Sequence, residues 1–583
     1  MLMRQVNKMT ETTMISHKKE LSESQILIGI LAIFLIGFGL RLVNLGTAPL
    51  TAGEAQAAWQ ALQVARKLPA ETAANAAYQG LTAVTFAIMQ ANAFWARFWP
   101  ALAGASLALV PFFWRRRLSP FLTIGLALAL ALDPVLFILS RQAGSAIFAV
   151  AGLVWALTFF IAGKPIGVGV ALALALLGGP WVWAALLLIL VGLGLAWLFN
   201  SSTVKQFASS LLSVCPIRQA PAKFALSFGL TLLLLATSFG LEPTGVSGIA
   251  GGLVAFAQNG FTAGPRPIWA QIYRWAAYSI APLVLAIIAT VRAWKESAKG
   301  KQALSLLALL FLAGAALFAN LGAGGLALVQ LPLWMLALSE MERLMKTEPQ
   351  PQRATRLVFV FGLVLCVYLA MSLKSWLSTT PGTLAFTQQG LAFLLGLVLL
   401  GLVYLFTGMG WSFQASGKGI ALALILALLA STLSLTLSGA TFRTENAMLI
   451  WSDTPLLDAA DEIGPLLHDF ERLNTIEPET ASVTVLDQSL ASYAWAFRNF
   501  GQIRTLLALP DGENPTVILS SEDWQPKAEQ FYRGMNISAF RQINWAALTP
   551  FDLIKGVFNQ TFTTQATQAI LWIRQDLFPG AIQ

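Results

Sequence analysis

Long apolar runs separated by short polar segments dominate the hydrophobic pattern of this chain. About 20 apolar residues in a helix cross the roughly 30 Å hydrocarbon core of a bilayer, and most of these runs approach that length. The pattern therefore predicts a polytopic α-helical membrane protein with about thirteen transmembrane helices. Their expected bounds are approximately 25–43, 96–114, 119–138, 144–162, 165–181, 183–199, 223–240, 271–291, 303–320, 326–341, 357–376, 389–408 and 419–438.

Two parts of the chain depart from this pattern. The stretch GLTAVTFAIMQ, residues 80–90, is too short to span and is predicted to be re-entrant or interfacial. After residue 439, SVTVLD, IRTLLAL and TVILS are typical of strands, whereas LLDAADEIGPLLHDFERL, AWAFRNF and AEQFYRGM are typical of helices. We therefore predict a small α/β domain with a partly parallel sheet. The predicted domains are a cytoplasmic tail at 1–24, a membrane domain at 25–438 with its first extracytoplasmic loop at 44–95, and an extracytoplasmic α/β domain at 439–583.

Composition and charge support this organisation and orient it. Hydrophobic residues make up 56% of the 583 residues and charged residues only 11%, which is unlike a soluble protein of this length. The segments predicted on the N-terminal face carry 20 Lys and Arg, against eight on the other face before residue 439. Because positively charged loops stay in the cytoplasm, we predict a multi-pass cell-membrane protein with a cytoplasmic N-terminus. The C-terminal domain, with 17 acidic and nine basic residues, is then extracytoplasmic, and no nucleic-acid partner is expected.

Cysteine and histidine are too sparse to indicate a redox or zinc centre. The two cysteines are Cys215, in a basic loop, and Cys366, in an apolar run, so they cannot form a disulfide framework. The two histidines, His17 and His468, fall on opposite predicted sides of the membrane. A histidine-based zinc site is therefore not expected.

The first extracytoplasmic loop carries a carboxylate with two competing interpretations. In RLVNLGTAPLTAGEAQAAW, residues 41–59, Glu54 lies three positions after Thr51. This spacing fits a capping box, in which the glutamate bonds back to the threonine amide at the start of a helix. The same carboxylate is also a candidate for chemistry at the membrane surface, and the two roles are compatible.

Three further ionisable residues lie near the predicted outer ends of spans, where charge is costly and needs a reason. Asp133 precedes a proline, so it either starts a turn or supports a site. Arg141, in SRQAG, either anchors to lipid headgroups or binds a lipid phosphate through its two parallel donors. Arg274, in GPRPIWAQIYRW, either belongs to an interfacial aromatic belt or binds a donor phosphate.

Several stretches resemble the GT-C fold glycosyltransferases, which include the protein O-mannosyltransferases and the aminoarabinose transferases of lipid A. An arginine, an apolar pair, PL and an acidic motif followed by alanine, just after the first span, is similar to the opening of that family. AYQGLTAVTFAIMQANAFWARFWPALAGASLALVPFFWRRR resembles its juxtamembrane segment and second span, with Arg97 at the position of its arginine. LDPVLFILSRQAGSAIFAV resembles its third loop, with Ser140 and Arg141 as the Ser-Arg pair.

This resemblance implies transfer of a sugar from a polyprenyl-phosphate carrier to a lipid, glycan or protein acceptor at the outer face, with inversion. It implies that Glu54 is the base that takes the acceptor proton. Arg141, Arg274 and Arg97 would then contact the donor phosphate, and Asp133 would support them or a metal. The resemblance leaves the cofactor unknown, with a divalent metal ion as one option.

The sequence also departs from the family pattern, and two alternative functions stay open. Family members usually carry an aspartate beside this glutamate, where this chain has Ala52 and Gly53, and a second arginine where it has Gly144. The first alternative is a catalytically weakened relative that binds lipid-linked sugar or assists its flipping or assembly. The second is an unrelated transporter, although we find no matched sequence repeats of the kind that transporters show.

Overall fold

A computed structural model of the protein describes residues 22–71, 74–199, 216–262, 264, 266–347, 352–441, 443–460, 462–466, 481–526, 531–559 and 561–578. The predictions that concern most of the cytoplasmic tail, His17, Cys215 and His468 lie outside these residues.

The first part of the membrane domain alternates spanning helices with shorter ones. Apolar runs that start after a serine, asparagine or proline account for many of the helix starts, since these residues cap or pre-form the first turn. The helices are α1 (Glu23–Leu42), α2 (Ala52–Ala65), α3 (Ala76–Ile88), α4 (Ala93–Ser106), α5 (Val110–Trp114), α6 (Pro120–Leu132), α7 (Pro134–Leu139), α8 (Ile147–Ile161), α9 (Pro165–Leu177) and α10 (Trp181–Phe199).

The second part ends in three helices that are each longer than 25 residues. Their apolar faces are largely exposed, as expected where a helix meets lipid. The helices of this part are α11 (Pro216–Gln219), α12 (Pro221–Ala236), α13 (Gly248–Asn259), α14 (Ile268–Tyr278), α15 (Ile280–Lys295), α16 (Lys299–Leu317), α17 (Gly324–Lys346), α18 (Gln352–Ser378), α19 (Leu384–Gly410) and α20 (Phe413–Ala440). The C-terminal domain adds α21 (Thr444–Trp451) and α22 (Pro550–Asn559).

The fold is that of a helical membrane protein, but the predicted count of thirteen spans is not confirmed. Among the described residues, seven helices are long and apolar enough to cross a membrane, or nine if two bent pairs each count as one span. Those pairs are α9 with α10, bent by 113°, and α14 with α15, bent by 92°. Helices such as α6 have only 13 residues, about 20 Å at 1.5 Å per residue, which is shorter than a hydrocarbon core.

The C-terminal domain contains the expected mixed sheet. Its strands are β1 (Leu456–Leu457), β2 (Ser482–Leu486), β3 (Gln502–Leu506), β4 (Val517–Ser520), β5 (Tyr532–Ile543) and β6 (Thr564–Arg574), in the order β1-β5-β6-β4-β2-β3. Strand β2 is parallel to β3 and β4, and the remaining pairs are antiparallel. The helix expected at AEQFYRGM is wrong where the structure describes it, because Tyr532 already starts β5 and pairs with β6.

The loop that follows α1 joins the edge of this sheet. Thr51 forms an antiparallel bridge with Leu456 of β1. The amide of Ala52 donates to the carbonyl of Pro455 at 2.8 Å, and the amide of Leu457 donates to that of Leu50 at 3.0 Å. Backbone pairing therefore holds the start of α2 against the C-terminal domain.

Candidate functional site

The carboxylate of Glu54 forms the capping box that its spacing predicts. The hydroxyl of Thr51 accepts from the amide of Glu54 at 3.4 Å, and the amide of Thr51 donates to Oε2 of Glu54 at 3.0 Å. Thr51 has an extended backbone and α2 begins at the next residue. The local sequence thus fixes where the helix starts and where the carboxylate lies.

Glu54 also forms a buried, two-pronged ion pair with Arg97. Nε of Arg97 donates to Oε1 at 2.8 Å, and its second nitrogen donates to Oε2 at 2.9 Å. The amide of Ala143 donates to Oε1 at 2.9 Å. With the capping bond, the carboxylate accepts four hydrogen bonds, which is its capacity. Glu54 is only 3% exposed, so it has to give up one of these partners before it can accept a proton from a substrate.

Arg97 holds the segment between the first span and α2. Its terminal nitrogens donate to the backbone carbonyls of Leu45, Ala48 and Pro49, at 3.1, 2.8 and 3.0 Å. The side chain is 1% exposed. Hydrogen bonds from a guanidinium to a carboxylate are strong and directional. Because Arg97 bonds to Glu54 and to three backbone carbonyls, it holds the loop on which Glu54 lies in one conformation.

Arg141 binds the C-terminal end of the first span. It donates to the carbonyls of Arg41, Val43 and Asn44, at 3.1, 2.8 and 3.1 Å. The last carbonyls of a helix lack intrahelical partners and carry partial negative charge, so a cation there is stabilising. Burial lowers the pKa of the Arg141 guanidinium, and the neighbouring charge of Arg97 lowers it further.

Asp133 lies in the turn that the Asp-Pro pair predicts, and it starts α7. Its Oδ1 accepts from the amide of Leu136 at 2.9 Å, and its Oδ2 accepts from the indole of Trp334 at 2.9 Å. The residue is 1% exposed. The carboxylate therefore caps α7 and ties it to α17.

Arg274 contacts a carboxylate that the sequence interpretation missed. It donates to the carbonyl of Trp451 at 3.0 Å and to Oδ1 of Asp453 at 2.8 Å, and Arg266 lies 3.9 Å from the same oxygen. The Asp453 side chain is 28% exposed, against 0% for Arg274. The sequence leaves open that a carboxylate of the outer domain reaches the site, but no local pattern singles out Asp453, which lies in IWSDTP after α21.

Close packing accounts for the two glycines that depart from the family pattern. A Cβ at Gly53 would lie 3.1 Å from Oγ1 of Thr454, which accepts from the Gly53 amide. A Cβ at Gly144 would lie 2.8 Å from Cβ of Ala57, and Gly144 has a φ of +66°. The space around both positions is thus taken by other parts of this protein, where a longer side chain would not fit without movement.

An apolar groove is lined by Trp275, the residue after Arg274. It has a volume of about 170 Å³ and is formed by α15, α16 and α17 together with this tryptophan. Ile287 and Leu309 on its lining are 55% and 59% exposed, so the groove is open at the surface of the helices. Among the described residues, no group of three or more His, Cys, Asp and Glu is arranged to hold a metal ion.

Comparison with known proteins identifies the fold but not a sequence family. No family model matches the chain, and no curated protein matches it. It is similar to a crystal structure of ArnT from Cupriavidus metallidurans bound to undecaprenyl phosphate, with a TM-score of 0.50 and 12% identity over 85% of this chain and 93% of ArnT. The protein has the GT-C fold.

This GT-C fold protein also aligns with the apo structure of the same ArnT, with a TM-score of 0.46 and 12% identity over 85% and 93% of the two chains. The predicted resemblance to GT-C proteins and the predicted fold class are thus confirmed, and the protein is a multi-pass membrane protein. The roles predicted for Glu54, Arg97, Asp133, Arg141 and Arg274 stay predictions. The structure places Glu54, Arg97 and the turn after Arg141 together, and it places Arg274 instead with Asp453.

Proposed function

We propose that this protein binds a polyprenyl-phosphate-linked sugar at the outer face of the membrane, and that Glu54 stabilises the first loop instead of acting as a base. The observation that carries this proposal is the filled, 3% exposed carboxylate of Glu54, paired with Arg97. A general base needs an accessible lone pair within reach of the proton it accepts. The proposal uses the orientation that the charge distribution predicts, in which the N-terminus is cytoplasmic and the C-terminal domain lies outside.

The groove lined by Trp275 supports the proposal that the ligand has a lipid chain. An isoprenoid chain is apolar, so it suits the Trp275-lined groove between α15, α16 and α17. Arg274 precedes the groove-lining Trp275 in the chain, and Arg266 shares the Asp453 carboxylate with it. Because Arg274 is 0% exposed, it would have to exchange its contact with Asp453 for the ligand before its fork could bind a phosphate. The fold shared with ArnT, which was crystallised with undecaprenyl phosphate, supports the same ligand class.

A second candidate function is sugar transfer itself, and Asp453 favours it. Its carboxylate is partly exposed beside two arginines, and the next residue, Thr454, contacts the start of α2. In this candidate, the acceptor hydroxyl gives its proton to Asp453 and its oxygen bonds to the anomeric carbon. The bond from that carbon to the phosphate breaks, and the polyprenyl phosphate leaves. A divalent metal ion or the arginines would stabilise the leaving group.

Purified protein in lipid nanodiscs, incubated with radiolabelled polyprenyl-phosphate sugars, tests both candidates. We expect retention of the lipid by the protein without release of label to acceptors. Label transfer that Asp453→Asn abolishes and Asp576→Asn preserves would support the second candidate. If only Glu54→Gln abolishes transfer, and this variant is folded and still binds lipid, Glu54 is the general base. Failure to bind any of these lipids would overturn both candidates and leave the transporter alternative.

A further inference from the structure

A cavity of about 460 Å³ lies between α2 of the first loop and the C-terminal domain, away from the Glu54 carboxylate. On one side it is lined by the α2 side chains Gln56, Trp59, Gln60 and Gln63. The facing wall comes from the C-terminal domain and includes Gln488. Nothing in the binding of a polyprenyl phosphate accounts for this cavity.

The sequence of α2 produces this lining through its helical period. Positions 56, 59, 60 and 63 are spaced i, i+3, i+4 and i+7, so they share one face of the helix. The opposite face, with Ala58 and Leu62, is buried in the core. A polar helix face normally points to open solvent, but here a second domain stands across from it, and the face becomes one wall of a cleft.

The lining chemistry suits a sugar. Each glutamine amide supplies donors and an acceptor, which matches hydroxyl groups that both donate and accept. An indole offers a large apolar surface with a polar edge, and the C–H face of a pyranose ring can lie against it. Glu71 is the ionisable side chain of the lining, so an anionic ligand would meet repulsion. We propose that this cavity binds an uncharged glycan.

A neighbouring cavity lengthens the proposed site. It has a volume of about 320 Å³ and shares Gln56 and Gln60 with the first cavity. Its other polar side chains include Asn75 and Gln79, and it reaches Gly53 at the start of α2. Amide side chains therefore line both cavities, and Gln56 and Gln60 belong to both linings. The second cavity reaches Gly53, in the loop that Glu54 stabilises. For a bound sugar that belongs to the lipid carrier, this inference therefore rests on the proposed function.

Full-length protein in nanodiscs, titrated with neutral and anionic oligosaccharides, tests this proposal. The probes are mannohexaose, chitohexaose and trigalacturonate, and the readouts are saturation-transfer NMR and calorimetry. We expect binding of at least one neutral probe and none of trigalacturonate. Trp59→Ala should weaken that binding by about ten-fold, whereas Trp59→Phe should keep most of it. Trp294→Ala, which alters a 54% exposed tryptophan on α15, should leave the affinity unchanged.

The same samples separate this site from the lipid site. The double variant Gln56→Ala/Gln60→Ala should lose glycan binding and retain a polyprenyl phosphate that carries no sugar. A free glycan and a lipid-linked sugar share the same chemistry. Binding of free mannohexaose or chitohexaose assigns the site to free glycans, and binding only of the same sugar on polyprenyl phosphate assigns it to the carrier. Absence of both kinds of binding, preference for trigalacturonate, or an unchanged affinity in Trp59→Ala would overturn the proposal. Loss of the sugar-free lipid alone would contradict only the proposed function.

Discussion

At the residue scale, the Glu54–Arg97 pair predicts a stability effect. Removing one partner of a buried ion pair leaves the other charge without compensation, at a typical cost of ~3–5 kcal/mol. Glu54→Gln should therefore lower the unfolding temperature of the purified protein, because Arg97 keeps its charge and loses its carboxylate. Thermal unfolding in detergent, followed by intrinsic tryptophan fluorescence, measures this shift.

Glu71→Gln is the matched control for that prediction. Glu71 is exposed and belongs to the same loop, so its neutralisation should change stability by less than about 0.5 kcal/mol. If Glu54→Gln unfolds at the wild-type temperature, the structural role of the pair is contradicted. If that variant also binds lipid but has lost a transfer activity seen in the wild type, Glu54 is the base that the family resemblance implied.

The turn at Gly144 gives a second prediction at this scale. Gly144→Ala places an alanine at a φ of +66° and brings its Cβ within 2.8 Å of Ala57 on α2. Gly163→Ala is a close control, because Gly163 has a φ of +68° and no atom within 4 Å of the added Cβ. Both variants carry the left-handed backbone penalty of about 1–2 kcal/mol. Only Gly144→Ala adds overpacking, so it should unfold at the lower temperature; equal unfolding temperatures would show that α2 moves aside freely.

The capping box shows which residue contacts could be predicted from the sequence. Thr51 and Glu54 are three residues apart, so their hydrogen bonds follow from helix geometry alone. The partner of the same carboxylate, Arg97, lies 43 residues away. Its choice depends on how α2 and α4 pack, which no local pattern encodes. The glycines at 53 and 144 were visible in the sequence, but the atoms that occupy the space beside them were not.

At the element scale, the pairing between the first loop and β1 predicts local protection. Thr454→Val removes the hydroxyl that accepts from the amide of Gly53 while keeping the side-chain shape. Losing one such bond costs about 1 kcal/mol, so amides at the start of α2 should exchange hydrogen faster. Hydrogen–deuterium exchange with mass spectrometry of the peptide covering residues 50–57 measures this. Thr347→Val, which removes an exposed hydroxyl that donates to the carbonyl of Arg343 at the end of α17, should leave that peptide unchanged.

Faster exchange in both variants would point to general loosening of the protein and contradict a local role for Thr454. Unchanged exchange in Thr454→Val would show that the backbone pairing with Pro455 and Leu457 holds the loop without the hydroxyl.

Secondary structure elements were predictable to different degrees, for physical reasons. Apolar runs predict helices well because a helix satisfies its own backbone in lipid, and a helix or helix pair stands at each predicted span. The lengths of the spans were harder to predict, since a bend of 92° divides the run predicted at 271–291 into α14 and α15. A bend of 113° separates α9 from α10, which were predicted as two full spans. The apolar residues of AEQFYRGM are spaced i, i+3, i+4 and i+7, as in a helix. Pairing of Tyr532 and the following residues with β6 overrides this local pattern and gives a strand.

At the scale of the whole molecule, the C-terminal domain acts as a wall of both the candidate site and the proposed glycan cavity. Asp453 and Thr454 lie just before β1, and both contact the membrane domain or its first loop. Gln488 faces α2 from the same domain. In both proposals the domain is therefore part of the binding architecture, and its side of the membrane determines which compartment the ligands come from.

The distribution of charge predicts that this compartment is extracytoplasmic. The predicted cytoplasmic segments carry 20 Lys and Arg against eight on the other face before residue 439, and retention of such loops fixes orientation. In a background with serine at Cys215 and Cys366, Gln565→Cys on exposed β6 should react with a membrane-impermeant maleimide in intact cells. Lys299→Cys, at the exposed start of α16, should react only after the membrane is permeabilised. The reverse labelling pattern would place the sheet and its cavities in the cytoplasm, where ligands presented on the outer leaflet could not reach them. It would overturn the proposed function, because that function assumes an extracytoplasmic C-terminal domain.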